Sequence, residues 1–164
     1  MKSRRELFKS FRDKIDQEEQ NLLIRPPYFK DEADFIECKS CEDRACILAC
    51  PEKIIVIAPD ESVTLDFSKN GCSFCDECAT ACSRDVLSLE NIHTSHKLNA
   101  TFQIDFNRCV AHNGVICSAC REPCIDDAIL FNGLFNPVID NEKCTSCGFC
   151  ISRCPTLAIE YFVN

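Results

Sequence analysis

The sequence predicts an α+β fold made of two tandem halves of about sixty residues each, preceded by an N-terminal segment. Three observations predict it. Cysteines recur in four groups of four, runs with a hairpin pattern separate the groups within each pair, and a longer polar stretch separates the pairs. We therefore predict an N-terminal segment at 1–33, a first domain at 34–90, a linker at 91–100 and a second domain at 101–164.

Both predicted hairpins consist of β-branched and aromatic runs on either side of a turn. Between the first two cysteine groups, residues 53–57 and 63–66 flank a turn that contains Pro59. Between the last two groups, residues 128–131 and 137–140 flank a second turn. The sequence therefore predicts one β-hairpin in each half.

The remaining strands are predicted at the two ends of each half. The run 34–37 precedes the first cysteine group, and 86–89 follows the second. The alternating run 101–105 precedes the third group, and 157–162 follows the fourth. With a short helix expected in each cysteine loop, each half has the order βαββαβ, which is that of a bacterial ferredoxin domain.

The chain has sixteen cysteines among 164 residues. Such a density indicates disulfides in an oxidising compartment and metal binding in a reducing one, so the compartment has to be inferred first. The run Ser3–Arg5, followed by Leu7–Lys9, is similar to a twin-arginine export motif. The apolar stretch of roughly 7–15 residues that an export signal needs does not follow it. No run approaches the ~20 apolar residues of a membrane span. We therefore expect a soluble, cytoplasmic protein in which reduced thiols bind metal.

The cysteine spacing predicts the kind of metal centre. The groups are Cys38, Cys41, Cys46 and Cys50; Cys72, Cys75, Cys78 and Cys82; Cys109, Cys117, Cys120 and Cys124; and Cys144, Cys147, Cys150 and Cys154. The second and fourth groups have the C-x2-C-x2-C-x3-C spacing of bacterial two-cluster ferredoxins. In that spacing the first three cysteines hold one cluster, and the fourth ligates the neighbouring cluster.

The spacing therefore predicts about four 4Fe–4S clusters, paired within each half. The predicted ligand sets are Cys38, Cys41, Cys46 and Cys82 for cluster 1; Cys72, Cys75, Cys78 and Cys50 for cluster 2; Cys109, Cys117, Cys120 and Cys154 for cluster 3; and Cys144, Cys147, Cys150 and Cys124 for cluster 4. Insertions lengthen the loops of the first and third groups, which leaves a 3Fe–4S or labile cluster open there. Zinc or disulfides are weaker alternatives, because three cysteines recur in a single arm.

Other chemistry has little support in the sequence. His93, His96 and His112 are few and scattered, and no glycine-rich phosphate loop or nucleophilic constellation can be picked out. We therefore expect an accessory or electron-transfer protein and not an enzyme. The formal net charge is −8, and the clusters with their thiolates bring it to about −16. Such a polyanion is unsuited to nucleic acid and suited to a basic patch on a partner protein.

The N-terminal segment leaves three interpretations open. Leu7, Phe8, Phe11 and Ile15 have helical spacing, which predicts an amphipathic helix. That helix could pack on its own protein, dock to a partner or to a membrane surface as a peripheral contact, or be disordered.

Taken as a whole, the chain resembles the NapF family, the ferredoxin-type accessory proteins of the periplasmic nitrate reductase system. The likeness rests on Ser3–Arg5, Ile24–Tyr28, Gly71–Cys75, Cys144–Cys150 and, most specifically, the irregular third group with Ala119–Cys124. The four-residue gap in the first group and Ser83, where proline is often found, depart from the pattern without removing a ligand.

This resemblance implies a cytoplasmic role in maturing the nitrate reductase catalytic subunit before export. The suspected partner is the precursor of that subunit, whose own iron–sulfur centre would receive electrons, cluster components or protection. A dedicated electron carrier feeding a reductase is the main alternative. An oxygen- or iron-responsive regulator is a weaker one, because the sequence has no basic stripe for DNA.

Overall fold

The computed structural model describes residues 23–94 and 96–164. The predicted amphipathic helix and the twin-arginine-like motif lie outside these residues. Within the described part of the chain, no helix has both the length and the apolar character that a membrane crossing requires. The fold is of ferredoxin type, with short helices and short strands interspersed.

The first half places its short elements around one hairpin. They are a 3-10 helix at Glu32–Ser40, α1 at Ala45–Ala49, β1 at Ile55–Ile57, β2 at Val63–Leu65 and α2 at Glu77–Thr80. Strands β1 and β2 pair antiparallel, which confirms the hairpin predicted here. Its inward-facing side chains are buried because they line one face of the pleat.

The strand predicted at 34–37 is wrong, because these residues belong to the first 3-10 helix. Asp31 caps that helix, and its carboxylate accepts a hydrogen bond of 3.0 Å from the backbone N–H of Ala33. The pairing expected of the strand occurs earlier in the chain, where Phe29 forms an antiparallel bridge with Leu87. The first half therefore joins its two ends through one bridge and not through a full ladder.

The second half has a more complete sheet arrangement. A 3-10 helix at Leu89–Thr94 leads into it from the first half. Its own elements are β3 at Ala100–Ile104, β4 at Ile129–Asn132, β5 at Phe135–Ile139, α3 at Phe149–Arg153 and β6 at Ile159–Val163. Strand β3 pairs antiparallel with β6, and β4 pairs antiparallel with β5. These strands confirm the predicted hairpin and the predicted terminal runs.

The short helix predicted in the third cysteine loop is wrong, because the loop consists of turns. The side-chain amide of Asn113 donates to the carbonyls of Phe106, Asn107 and Cys109, the last at 2.8 Å. These bonds fold the insertion back on itself, and Gly114 follows with a φ of +84°. A side chain that bonds local carbonyls in this way stabilises a turn in place of a helix.

Both halves contribute to one continuous core. Ile54 and Leu87 of the first half are buried, as are Ala100 and Phe102 of the second, and all belong to the same apolar cluster. The ring of Phe67 packs edge-on against the ring of Phe102, with centroids 6.0 Å apart. The halves are therefore packed against each other and not merely tethered.

Candidate metal centres

A small cavity in the first half is lined by Cys38, Cys41, Cys46 and Cys82. Cys38 lies in the first 3-10 helix, and Cys46 lies in α1. Cys82 belongs to the second cysteine group. It follows the end of α2, and the chain turns there so that Cys82 lies beside the first group. The structure thus brings together the four cysteines predicted for cluster 1.

A second cavity is lined by Cys50, Cys72, Cys75 and Cys78. Cys46 lies in the first turn of α1 and Cys50 follows its last residue, so the helix directs Cys50 away from the first group and toward the second. The two cavities therefore exchange their fourth cysteines, as predicted for clusters 1 and 2. Ligation itself stays a prediction.

The same exchange recurs in the second half. The thiol of Cys120 has Cys109, Cys117 and Cys154 as electrostatic neighbours. The thiol of Cys147 has Cys144 and Cys124 as neighbours, and these cysteines also surround Cys150. These neighbours match the sets predicted for clusters 3 and 4. None of the sixteen cysteines forms a disulfide.

Burial keeps the bare thiols neutral. Desolvation, with the neighbouring cysteines adding to it, raises the pKa of Cys46 to about 11 and that of Cys78 to about 12. Desolvation likewise raises the pKa of Cys72 to about 12 and that of Cys147 to about 11. A thiolate in these positions needs a positive charge to compensate it, and bound iron supplies that charge.

Backbone amides point at several of the sulfurs. The N–H groups of Ala128 and Ala158 donate to the sulfurs of Cys124 and Cys154 at 3.3 and 3.2 Å. Such bonds stabilise sulfur-borne charge and are one means by which a protein sets the reduction potential of a cluster. Sulfur donors in four sets, several of them buried and several met by N–H groups, fit 4Fe–4S clusters, which supply one-electron transfer when bound.

Sequence reasoning gave no role to Arg25, whose buried guanidinium lies beside the first cavity. It donates to the Oγ of Ser62 at 2.6 Å and to the carbonyl of Val63 at 2.7 Å. It also pairs with Glu32 at 2.6 Å and lies over the ring of Phe35 at 4.3 Å. The sequence offered one indication of this role. Arg25 directly precedes two prolines, which hold the segment extended and so fix the direction of its side chain.

Tyr28 is a second residue whose role the sequence did not reveal. It is buried against the second cavity, and its hydroxyl donates a hydrogen bond of 3.0 Å to the carbonyl of Phe74 in the cysteine loop. Burial, with the carboxylate of Asp76 adding to it, raises the pKa of Tyr28 far above its ordinary value. Tyr28 therefore stays a neutral hydrogen-bond donor.

His112 packs against the second hairpin. A ring nitrogen of His112 lies 2.9 Å from the carbonyl oxygen of Pro137. Its ring packs on Phe106 with centroids 4.4 Å apart. These contacts attach the third cysteine loop to strand β5.

The fold and the four cysteine sets define an iron–sulfur protein of the ferredoxin type that binds several 4Fe–4S clusters. The family model described as a 4Fe-4S binding domain matches residues 137–160, which include the fourth group. The ferredoxin-type protein NapF of Escherichia coli K12 is 35% identical over 141 residues, covering 83% of this chain and 82% of that protein. The chain belongs to the NapF family of ferredoxin-type proteins.

More distant relatives are also ferredoxin-type proteins. NapG of Haemophilus influenzae is 26% identical over 157 residues, covering 82% of this chain and 56% of NapG. The methylamine utilization ferredoxin-type protein MauM of Methylophilus methylotrophus is 30% identical over 152 residues, covering 80% of this chain and 66% of MauM. All three relatives are named ferredoxin-type proteins.

Proposed function

We propose that this chain is a cytoplasmic accessory protein that acts on the precursor of the periplasmic nitrate reductase catalytic subunit before its export. The observation that carries the proposal is the grouping of all sixteen cysteines into four sets, in a chain of the NapF family. The resemblance seen in the sequence supplies the nitrate reductase system as the setting. No catalytic activity of its own is proposed.

The proposal includes the ligand sets and the domain plan. Clusters 1 and 2 belong to the first half and clusters 3 and 4 to the second, each pair exchanging its fourth cysteine. We infer that each half is a ferredoxin unit derived from the βαββαβ order. In the first half a single bridge replaces the pairing of the terminal strands, and in the second half turns replace the first helix. The bridge between Phe29 and Leu87 and the ladder between β3 and β6, which join the ends of each half, support this inference.

The surface suits a protein partner. The formal net charge of −8 favours a basic patch on the partner and an association that salt weakens. Apolar side chains also stand exposed beside the first and third cysteine groups, with Leu48 85% exposed and Ile116 74% exposed. Apolar groups at these two places give a partner something to bury close to the metal centres.

The test is an anaerobic purification of the tagged chain from nitrate-respiring cells. Recovery of the nitrate reductase catalytic subunit with its signal peptide still attached supports maturation before export. A matched control carries Cys41→Ala and Cys117→Ala, which disturb two centres while leaving every Asp, Glu, Lys and Arg side chain in place. Recovery of the mature, processed subunit alone contradicts the proposal.

A second candidate function is a dedicated electron carrier that relays electrons to a reductase. The closeness of the four cysteine sets favours it, because adjacent sets suit stepwise one-electron transfer. This function predicts rapid, salt-sensitive encounters with a reductase and stable clusters that cycle fully. Recovery of reductases or quinol dehydrogenase subunits without any precursor favours this candidate.

A further inference from the structure

One backbone hydrogen bond joins the two cysteine systems of this protein. The N–H of Cys72, in the second group, donates to the carbonyl oxygen of Cys147, in the fourth group, at 2.6 Å. Both cysteines are buried. Two metal-binding loops that lie far apart in the sequence therefore meet backbone to backbone, with no side chain or solvent layer between them.

Glycine makes this approach achievable. A Cβ at Gly71 would lie 2.6 Å from the carbonyl oxygen of Cys147 and 2.7 Å from the ring of Phe149, closer than real side chains come. On the other side, a Cβ at Gly148 would collide with the ring of Phe67, and Gly148 also has a φ of +89°. Two of the four glycines in the chain thus lie at this one seam.

Further contacts pack around the seam. Phe67 packs against Phe102 and Tyr161 of the second half, with ring centroids 6.0 and 6.5 Å away. The hydroxyl of Ser146 is buried and donates to the carbonyl of Ala100 at 2.5 Å. Residues on both sides therefore hold the loops in one relative position.

The sulfur sets follow one another in a definite order. Cys46 of the first set is an electrostatic neighbour of Cys78 in the second. Cys147 of the fourth set is a neighbour of Cys72 in the second. Cys120 of the third set is a neighbour of Cys150 in the fourth. Together with the backbone bond that joins the second set to the fourth, these neighbours place the sets in the order first, second, fourth, third, which differs from their order in the sequence.

We propose that the seam held by Gly71 and Gly148 is the crossing point for electrons between the halves, so that the four clusters form one path whose ends are clusters 1 and 3. One electron crosses from the second set to the fourth, or back. The centre it leaves is oxidised by one electron, the centre it reaches is reduced by one, and no bond or proton changes. A one-electron donor protein supplies the electron at one end, and an oxidised iron–sulfur partner takes it at the other. The inference rests on the proposed ligand sets.

The experiment compares two full-length variants that each keep two clusters. Replacing Cys41, Cys46, Cys117 and Cys120 by Ala leaves clusters 2 and 4, and replacing Cys75, Cys78, Cys147 and Cys150 by Ala leaves clusters 1 and 3. Each should hold about eight irons per chain. After reduction with dithionite, electron paramagnetic resonance should show spin–spin coupling in the first variant and two isolated signals in the second. Equal coupling in both, or none in the first, overturns the proposal.

A single substitution in the complete chain provides a test that does not depend on those variants. Gly71→Val should keep about sixteen irons per chain while the reduced spectrum loses one coupling. The amide of Cys72 should also exchange with solvent at least about ten-fold faster, since its hydrogen bond is broken. Lys69→Val is the control, because it places the same side chain at an exposed position two residues before Gly71. A Gly71→Val spectrum and exchange rate identical to those of the parent overturn the proposal.

Neither experiment involves a partner protein. The results of both would therefore stand even if the chain did not bind a nitrate reductase precursor.

Discussion

The guanidinium of Arg25 donates a hydrogen bond of 2.7 Å to the carbonyl oxygen of Val63, in a position where only 3% of Arg25 is exposed. The bond attaches the extended segment before the first cysteine group to strand β2. Since Val63 also lines the first cavity, Arg25 supports the wall of that cavity from behind.

We expect Arg25→Met to lower the free energy of unfolding by about 3 kcal/mol, because Asp60 and the Val63 carbonyl lose a buried charged partner. Urea unfolding under anaerobic conditions measures this. Arg25→Lys should be intermediate, because an ammonium cannot reproduce the fork of the guanidinium. The exposed Lys69→Ala is the control. A change below about 0.5 kcal/mol for Arg25→Met would show that the network adds little.

The exchange of fourth cysteines predicts which double variants are additive. Cys41→Ala and Cys82→Ala should each cost the same cluster, so the pair should lose about four irons, no more than either alone. Cys41→Ala with Cys50→Ala should lose about eight, because these cysteines are assigned to different clusters. Iron and sulfide analysis of the purified variants decides the matter. The reverse pattern would mean that each sequence group ligates its own cluster.

The hydroxyl of Tyr28 offers a milder test of the second cavity. Tyr28→Phe leaves the carbonyl of Phe74 without its donor, and we expect a loss of about 1 kcal/mol in stability with unchanged iron content. The visible absorption of the clusters measures the iron content before heating, and its loss during thermal unfolding measures the stability. The matched control is Tyr161→Phe, since Tyr161 is 46% exposed. Equal effects of the two substitutions would remove any special role for Tyr28.

Iron-free protein should become less stable as the pH rises. Burial raises the pKa of Cys72 and Cys78 to about 12 in the folded chain, whereas the pKa of an unfolded thiol is about 8.5. Between these values the unfolded state has lost protons that the folded state keeps, so unfolding is favoured by about 2 kcal/mol per buried thiol from pH 8 to pH 10. The urea midpoint of the chelator-treated, reduced chain should fall over this interval.

The iron-loaded chain is the control for that experiment. Its cysteines are already thiolates bound to metal, so its midpoint should change little over the same interval. A midpoint of the iron-free chain that stays level or rises between pH 8 and pH 10 would contradict the prediction.

Much of this architecture could be predicted because local patterns specify it. The hairpin runs around Pro59 and around Gly133 appear as β1–β2 and β4–β5, since β-branched and aromatic runs bounded by turn residues are a local property of the sequence. The prediction of a strand at 34–37 is wrong because a run of four residues is too short to distinguish a strand from a capped 3-10 helix. The Asp31 cap decided the outcome.

The cysteine sets were predictable for another reason, since their spacing reflects the shape of a cluster and not the rest of the fold. The seam was not predictable. Gly71 resembles any loop glycine in the sequence, and only the approach of Cys147 from the other half shows why a hydrogen atom is needed there. Arg25 was missed for the same reason, because its partner Val63 lies 38 residues away.

The close approach at Gly71 also limits how such a chain can be assembled by recombination. A ferredoxin unit with any side chain at that position could be fused to a second unit, yet the two would remain independent modules on a tether. Transplanting either half into another multi-cluster protein therefore requires a glycine on each side of the junction. The two repeated halves are therefore not freely interchangeable, because their contact requires glycine at both Gly71 and Gly148.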